Sequence, residues 1–229
     1  FDKADLVICA GEAAKNTAVE KFLVDDHKIS LNMYGAPEKK IDKVKNIREE
    51  LKIDDAQKVI ISVGRETKAK GVEDFCKVAK KLSDKNYKFL YLGGYRDENY
   101  HNYLVKKYGK YVEFLGMKIN VDEYYKVADL MLFLSHRESA PTVLFEAMAF
   151  SLPMISWNTV GVNELIVNNY NGYSCPLKDI EYVVEKVSLV LDDRGVYHKL
   201  SKNSCKDFKN KYNFSLHVKK LINSFIKIS

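Results

Sequence analysis

No uninterrupted run of about 18 apolar residues, the length a helix needs to cross a bilayer, occurs anywhere in the chain. A membrane-spanning helix is therefore not expected. The opening FDKADLVICAGEAAK lacks the basic flank and long apolar stretch of a secretory leader, and Phe in place of Met at position 1 gives the expectation of a piece of a longer protein. Cysteine is sparse: Cys9, Cys76, Cys175 and Cys205 stand apart with no C-x-x-C pair. That disfavours a disulfide frame and a zinc site, and points to reduced packing thiols in the cytoplasm. No G-x-G-x-x-G follows a strand, and VGRETKAKG does not end in G-K-[ST], so the dinucleotide fingerprint and the Walker loop are both missing. Asp-x-Asp, histidines at ligand spacing and G-x-S-x-G are absent as well. Metal-held diphosphate chemistry, metal hydrolysis and serine-triad chemistry drop out with them.

What is present suits a large α/β core, with 46% hydrophobic residues in 229. The net charge of +6 is uneven, because residues 194 to 229 hold nine Lys/Arg against Asp207, a local +8 that leaves about −2 elsewhere. Such a basic C-terminal region suits peripheral contact with an anionic membrane face, each cation near the lipid contributing about 1 kcal/mol. For any single lysine a solvated helical face is the commoner reading. Nucleic acid is not an expected partner, since no reader motif accompanies the charge.

From Lys58 onward the runs KVIISVG, YKFLYLGG, YVEFLG, DLMLFLS, PMISW and GYSCP alternate with polar or amphipathic segments. Strands apolar on both faces and separated by crossovers predict a doubly wound parallel sheet covered on both sides, with ligands at the strands' carboxyl ends. Upstream, DLVICA, AAKNTAVEKFLV and ISLNMYG form one more β-α-β unit, so residues 1–37 are expected to end a separate domain. Residues 38–57, rich in lysine, read as a linker, 58–213 as the main domain and 214–229 as a C-terminal helix. Its stripe of Val218, Leu221, Ile222 and Phe225 is expected to pack back on the N-terminal unit.

Two strand ends gather the polar residues. The first, GRETKAKG, sets Arg65, Lys68 and Lys70 between Gly64 and Gly71, cations suited to a diphosphate. The second, HRESAPTVLFEAMAF, carries Glu138 and Glu146. Pro141 predicts a helix start at residue 140 or 141, with Ser139 or Ala140 as cap. Glu138 then precedes the helix, Glu146 lies on it, and the N–H groups of Thr142 and Val143 offer a seat for a phosphate. Glu146 falls among Thr142, Val143, Ala149 and Phe150, a poor place for a charge unless something donates hydrogen bonds to it. His136 reads more readily as a packed or solvent-facing histidine than as a catalytic one.

The Glu138/Glu146 spacing with EAMA after it, and Gly64-Arg65 before Lys70-Gly71, resemble the donor-binding domain of retaining GT-B glycosyltransferases of glycosyltransferase family 4. YVEFLG, VDEYYKVADLMLFLS, SLPMIS and GVNELIVNNYNGY follow in the family's order, so the resemblance covers Ala4 to about Leu191. It implies a Rossmann-like GT-B C-terminal domain preceded by a remnant of the N-terminal, acceptor-side domain. It also implies that Arg65, Lys70 and Gly64, with the backbone of Thr142 and Val143, bind the donor diphosphate. Glu146 would hold the ribose, Met117 and Lys118 would lie by the nucleobase, and Glu138 would meet the transferred sugar as nucleophile or electrostatic stabiliser. Ser139-Ala140-Pro141 stands where the family often has Gly-Phe-Gly, Ser151 where it has Gly, and Val162 where it has a second Gly.

The expected activity is retaining transfer of a hexosyl-type sugar from a nucleoside diphosphate sugar to a glycan or lipid-linked acceptor, with no metal or other cofactor. The expected setting is bacterial surface polysaccharide synthesis, in the cytoplasm or at the inner membrane face. This chain by itself is expected to bind the donor weakly and not to turn over. Two other readings stay open: a non-catalytic binding or scaffold subunit, and an epimerase or phosphorylase on the same fold.

Overall fold

The computed structural model describes residue 1, residues 3–38 and residues 47–226. Part of the expected linker, 39–46, and the end of the expected C-terminal helix, 227–229, lie outside the described residues.

The chain opens with β1 (Val7–Cys9), α1 (Glu12–Phe22) and β2 (Ile29–Leu31), the two strands parallel. After a short helix, α2 (Ile47–Glu50), come β3 (Lys58–Val63), α3 (Val72–Lys81), β4 (Tyr87–Leu92), α4 (Glu98–Tyr108), β5 (Val112–Phe114), α5 (Val121–Val127) and β6 (Leu130–Phe133). Then follow α6 (Thr142–Ala149), β7 (Met154–Trp157), β8 (Gly172–Cys175), α7 (Ile180–Asp192), α8 (Arg194–Asp207), a π-helical turn Phe208–Tyr212 and α9 (Phe214–Ile226). Six strands form one parallel sheet in the order β5-β4-β3-β6-β7-β8.

Strand alternation divides the core. Ile60, Tyr91, Leu132 and Ile155 face one layer with α3, α4 and α7, whereas Val59, Ile61, Leu90, Met131 and Met154 face the other with α5 and α6. Both faces are covered, which is why these runs are apolar throughout. The strand order reverses between β3 and β6, because the chain builds outward through β4 and β5 before returning beside β3. The loops leaving β3 and β6 therefore bound the crevice where such sheets bind ligands.

α9 returns to the first unit. Ser224 Oγ lies 2.7 Å from Ser30 Oγ, and His217 Nδ1 lies 3.0 Å from both Asn32 Oδ1 and the Met33 carbonyl. The apolar stripe is only partly covered, with Ile222 53% and Phe225 51% exposed, because the buried side chain here is Ser224. Two chain crossings join this unit to the sheet and bond to each other: Ala36 N donates to the Tyr212 carbonyl at 3.0 Å and Phe214 N to the Ala36 carbonyl at 2.9 Å. A Cβ on Gly35 would lie 2.7 Å from the Asn213 backbone, so the crossings touch main chain to main chain. Among the described residues no helix is long and apolar enough to cross a membrane.

Candidate functional site

The loop after β3 is tied to its neighbours by backbone. Gly64 N donates to the Leu92 carbonyl at 2.9 Å, and Glu66 N to the Gly94 carbonyl at 3.0 Å. A short 3-10 turn, Lys68–Lys70, ends at Gly71 in the left-handed conformation (φ 64°), where a Cβ would fall 1.8 Å from the Leu134 carbonyl oxygen. Only glycine lets α3 start this close to the end of β6. His136 N and Ser135 Oγ both donate to the Ala69 carbonyl, at 2.9 and 3.2 Å, so the two loops form one rim.

Across that rim Lys70 Nζ lies 2.5 Å from Glu138 Oε1, and the Glu138 side chain is only 11% exposed. Thr142 and Val143, the first residues of α6, follow directly. Their N–H groups have no backbone partner one turn earlier in the helix, the usual state of a helix start. Gly64, Lys70, Glu138, Thr142 and Val143 together line a cleft of about 250 Å³ floored by Val63 and Phe133. Five of the nine residues predicted from sequence thus meet in one place.

The other four stand outside that cleft. Arg65 is exposed beside Gly64, and its carbonyl accepts from Tyr91 Oη at 3.3 Å. Met117 is 84% exposed and Lys118 Nζ sits 5.8 Å from the Tyr124 ring, in the loop after β5 whose Gly116 carbonyl accepts from Gly93 N at 2.9 Å. Glu146 lies half-buried one turn along α6, where Tyr125 Oη donates to Oε2 at 3.0 Å. This supplies the donor that a carboxylate in that setting needs. Burial first, and then the Glu146 charge, push the Tyr125 hydroxyl well above its ordinary value, so it stays a donor.

The structure corrects the expected start of α6. The helix begins at Thr142, and Pro141 takes the N-cap place with φ −73° and ψ 102°, not a place in the first turn. Proline fixes φ alone, and here ψ stays extended while the Pro141 carbonyl accepts from Leu144 N at 3.1 Å. No side chain caps the helix. Ser139 is held instead by its neighbour across the site: a Cβ on Gly161 would lie 2.3 Å from the Ser139 carbonyl oxygen, and Gly161 N donates to the Glu138 carbonyl at 3.2 Å. His136 turns away to α3, its Nε2 lying 2.7 Å from Asp74 Oδ2.

Sequence reasoning missed two side chains. Tyr125 lies in VDEYYKV, where nothing local ties it to Glu146. Glu164 lies in GVNEL; its Oε2 and Oε1 accept from Glu12 N and Ala13 N at 2.7 and 2.9 Å, at the start of α1. Among the described residues no three His, Cys, Asp or Glu side chains converge as metal ligands.

Comparison with known proteins agrees with this architecture. The sequence model of the family described as "Glycosyl transferases group 1" matches residues 43–207. A capsular polysaccharide biosynthesis glycosyltransferase, CapM, of Staphylococcus aureus is 25% identical over 237 residues, covering 97% of this chain and 62% of its own length. A glycosyltransferase structure from Rickettsia africae superposes with a TM-score of 0.90 at 18% identity, over 99% of this chain and 64% of that one. Anabaena Alr3699/HepE, solved in complex with UDP-glucose, gives 0.84 at 16% identity, over 97% of this chain and 64% of that one. The chain spans 55% and 62% of the length of two curated relatives that it matches. These structural likenesses show the GT-B fold, and the family match shows the rest: the chain belongs to the group 1 glycosyl transferases.

Proposed function

We propose that the cleft between the β3 and β6 loops binds the diphosphate and sugar of a nucleoside diphosphate sugar, and that the whole protein transfers this sugar, with retention, to a hydroxyl of a glycan or lipid-linked acceptor. The observation that carries the reading is the Lys70–Glu138 pair facing the open N-terminus of α6 at the point where strand order reverses. A cation and two backbone N–H groups suit a diphosphate, and a carboxylate beside them suits a centre that becomes positive as the diphosphate leaves.

In this reading Lys70, Arg65 and the Thr142 and Val143 N–H groups, with Gly64 allowing close approach, take up the charge of the departing diphosphate in place of a metal. Glu146, held by Tyr125, accepts from the ribose hydroxyls, and the base lies along the exposed Met117-Lys118 loop. As the bond from sugar carbon to diphosphate oxygen breaks, the acceptor oxygen bonds to that carbon from the same face. The acceptor's proton passes to the leaving oxygen, and Glu138 stabilises the cationic centre. The enzyme in this reading is a metal-independent, retaining member of glycosyltransferase family 4 that takes a hexosyl-type donor. The UDP-glucose complex of the Anabaena protein and the capsular polysaccharide role of the S. aureus relative support a nucleotide-sugar donor and a surface polysaccharide product. Lys199, Lys202 and Lys206, which share one exposed face of α8, would give a cytoplasmic enzyme peripheral contact with an anionic membrane.

Calorimetric titration with UDP, GDP, ADP and dTDP tests the reading. One of them is expected to bind, and no binding of any at millimolar concentration would overturn it.

A further inference from the structure

The start of α1 has no cap of its own. Gly11 occupies the N-cap place with extended backbone and offers no side chain, yet two of the helix's free N–H groups are bound by a carboxylate from 151 residues or more away. Glu164 accepts from both Glu12 and Ala13, and a Cβ on Gly11 would stand 2.7 Å from its Oε2. A negative side chain grasping two backbone N–H groups at the positive end of a helix is a charge-assisted contact, and it joins the β1-α1-β2 unit to the six-stranded sheet. It is separate from the two chain crossings at Ala36 and Asn213.

The segment that carries Glu164 is stiff. Residues 159–166 form consecutive tight turns, with Val162 N, Leu165 N and Ile166 N each bonded at 2.9 Å within them, and Val162, Leu165 and Ile166 are buried. Its far end is pinned by Asn171, which donates to the Leu165 carbonyl at 2.9 Å and to Asp207 Oδ2 at 3.0 Å. Three residues before Glu164 the same segment lies against the loop of Glu138, through Gly161 N to the Glu138 carbonyl and through the close approach of Gly161 to Ser139. A cavity of about 470 Å³, lined by Ile8, Ala13 and Thr17 from the first unit and by Glu138, Ser139 and Val160 opposite, separates the two sides.

We infer that Glu164 is a positioning residue: by binding the N-terminus of α1 it fixes the Glu138 loop to the first unit, and so sets where the Glu138 carboxylate stands relative to whatever that unit holds. The inference rests on the proposed role of Glu138 for its catalytic consequence, but the coupling is measurable without it.

The test compares Glu164→Ala with Gly11→Ala, which disturbs the same contact from the opposite side. Amide exchange is read at Glu12 and Ala13 and, separately, at Gly161. Both variants are expected to speed exchange at Gly161 about tenfold, as well as at residues 12 and 13, because a released contact lets the Glu138 loop open more often. A local cap alone would change residues 12 and 13 and leave Gly161 as it was in both variants, and that result would overturn the inference. In the full-length enzyme, hydrolysis of UDP-glucose or UDP-N-acetylglucosamine is expected to lose about tenfold in kcat with KM within about twofold, since the residues lining the donor cleft are untouched. A rise in KM at constant kcat would count against positioning. If the unaltered protein binds no nucleoside diphosphate, the proposed function falls while the exchange result still decides the coupling.

Discussion

Lys70 and Glu138, 68 residues apart in sequence, meet at 2.5 Å because β3 and β6 are neighbours in the sheet. The pair spans the two loops that bound the cleft, so an entering diphosphate would share Lys70 with the carboxylate.

Lys70→Ala is therefore expected to weaken nucleoside diphosphate binding by about tenfold to a hundredfold, the range of one lost charge-assisted hydrogen bond. Calorimetry checks it. An unchanged Kd would remove Lys70 from the diphosphate site.

Tyr125→Phe removes the hydroxyl that donates to Glu146 and leaves the ring stacked on Phe150, 5.6 Å between centroids. Stability should fall by about 1–2 kcal/mol, because a half-buried carboxylate loses a donor. Urea midpoints give the measurement. Nucleotide affinity should fall less than in Glu146→Ala, which deletes the carboxylate outright.

Ser151 takes φ 61°, the left-handed conformation that glycine adopts without strain. That explains the glycine the family places there. Ser151→Gly should raise stability by about 0.5–1 kcal/mol, the relief of strain being partly offset by a more mobile unfolded chain. A melting temperature that drops would show that the serine side chain contributes more than its backbone costs.

Glu73 in α3 gives a pH signature. Burial, the largest influence, would raise its carboxyl, but hydrogen bonds from Tyr103, Lys107 and Tyr108 together hold it below the ordinary value of 4.5. A depressed carboxyl contributes stability that is fully present above the unfolded value and is lost as pH falls through the folded one. Glu73→Gln should thus be less stable than the parent at pH 7, and the gap should close below about pH 4.5. Denaturant midpoints at several pH values would show it, and a gap that widens in acid would contradict it.

The strands were legible because runs such as KVIISV and LMLF are buried on both faces and alternate with amphipathic segments, the pattern of a covered parallel sheet. Gly64, Lys70, Glu138, Thr142 and Val143 were legible as a group because all follow strand ends. The Lys70–Glu138 contact was not, since it depends on which strands become neighbours. Pro141 places the helix start one or two residues too early because proline dictates φ and leaves ψ free, here 102°. Glu164 left no trace in sequence beyond its place in GVNEL, for its partners are the backbone N–H groups of Glu12 and Ala13, which any residue but proline would supply.

The contact between Ser30 and Ser224 closes a span of 194 residues, so a segment of the first unit is completed by one made well after it. The entropy of so long a closure grows only slowly with length, so the final structure is little penalised. The order of synthesis is a different matter: the β1-α1-β2 unit must wait, its β2 side uncovered by α9, until the whole six-stranded sheet has emerged from the ribosome. Stalling or cleavage just before Phe214 would release a chain whose sheet is finished and whose first unit is open, the kind of species that chaperones retain and that aggregates when they do not.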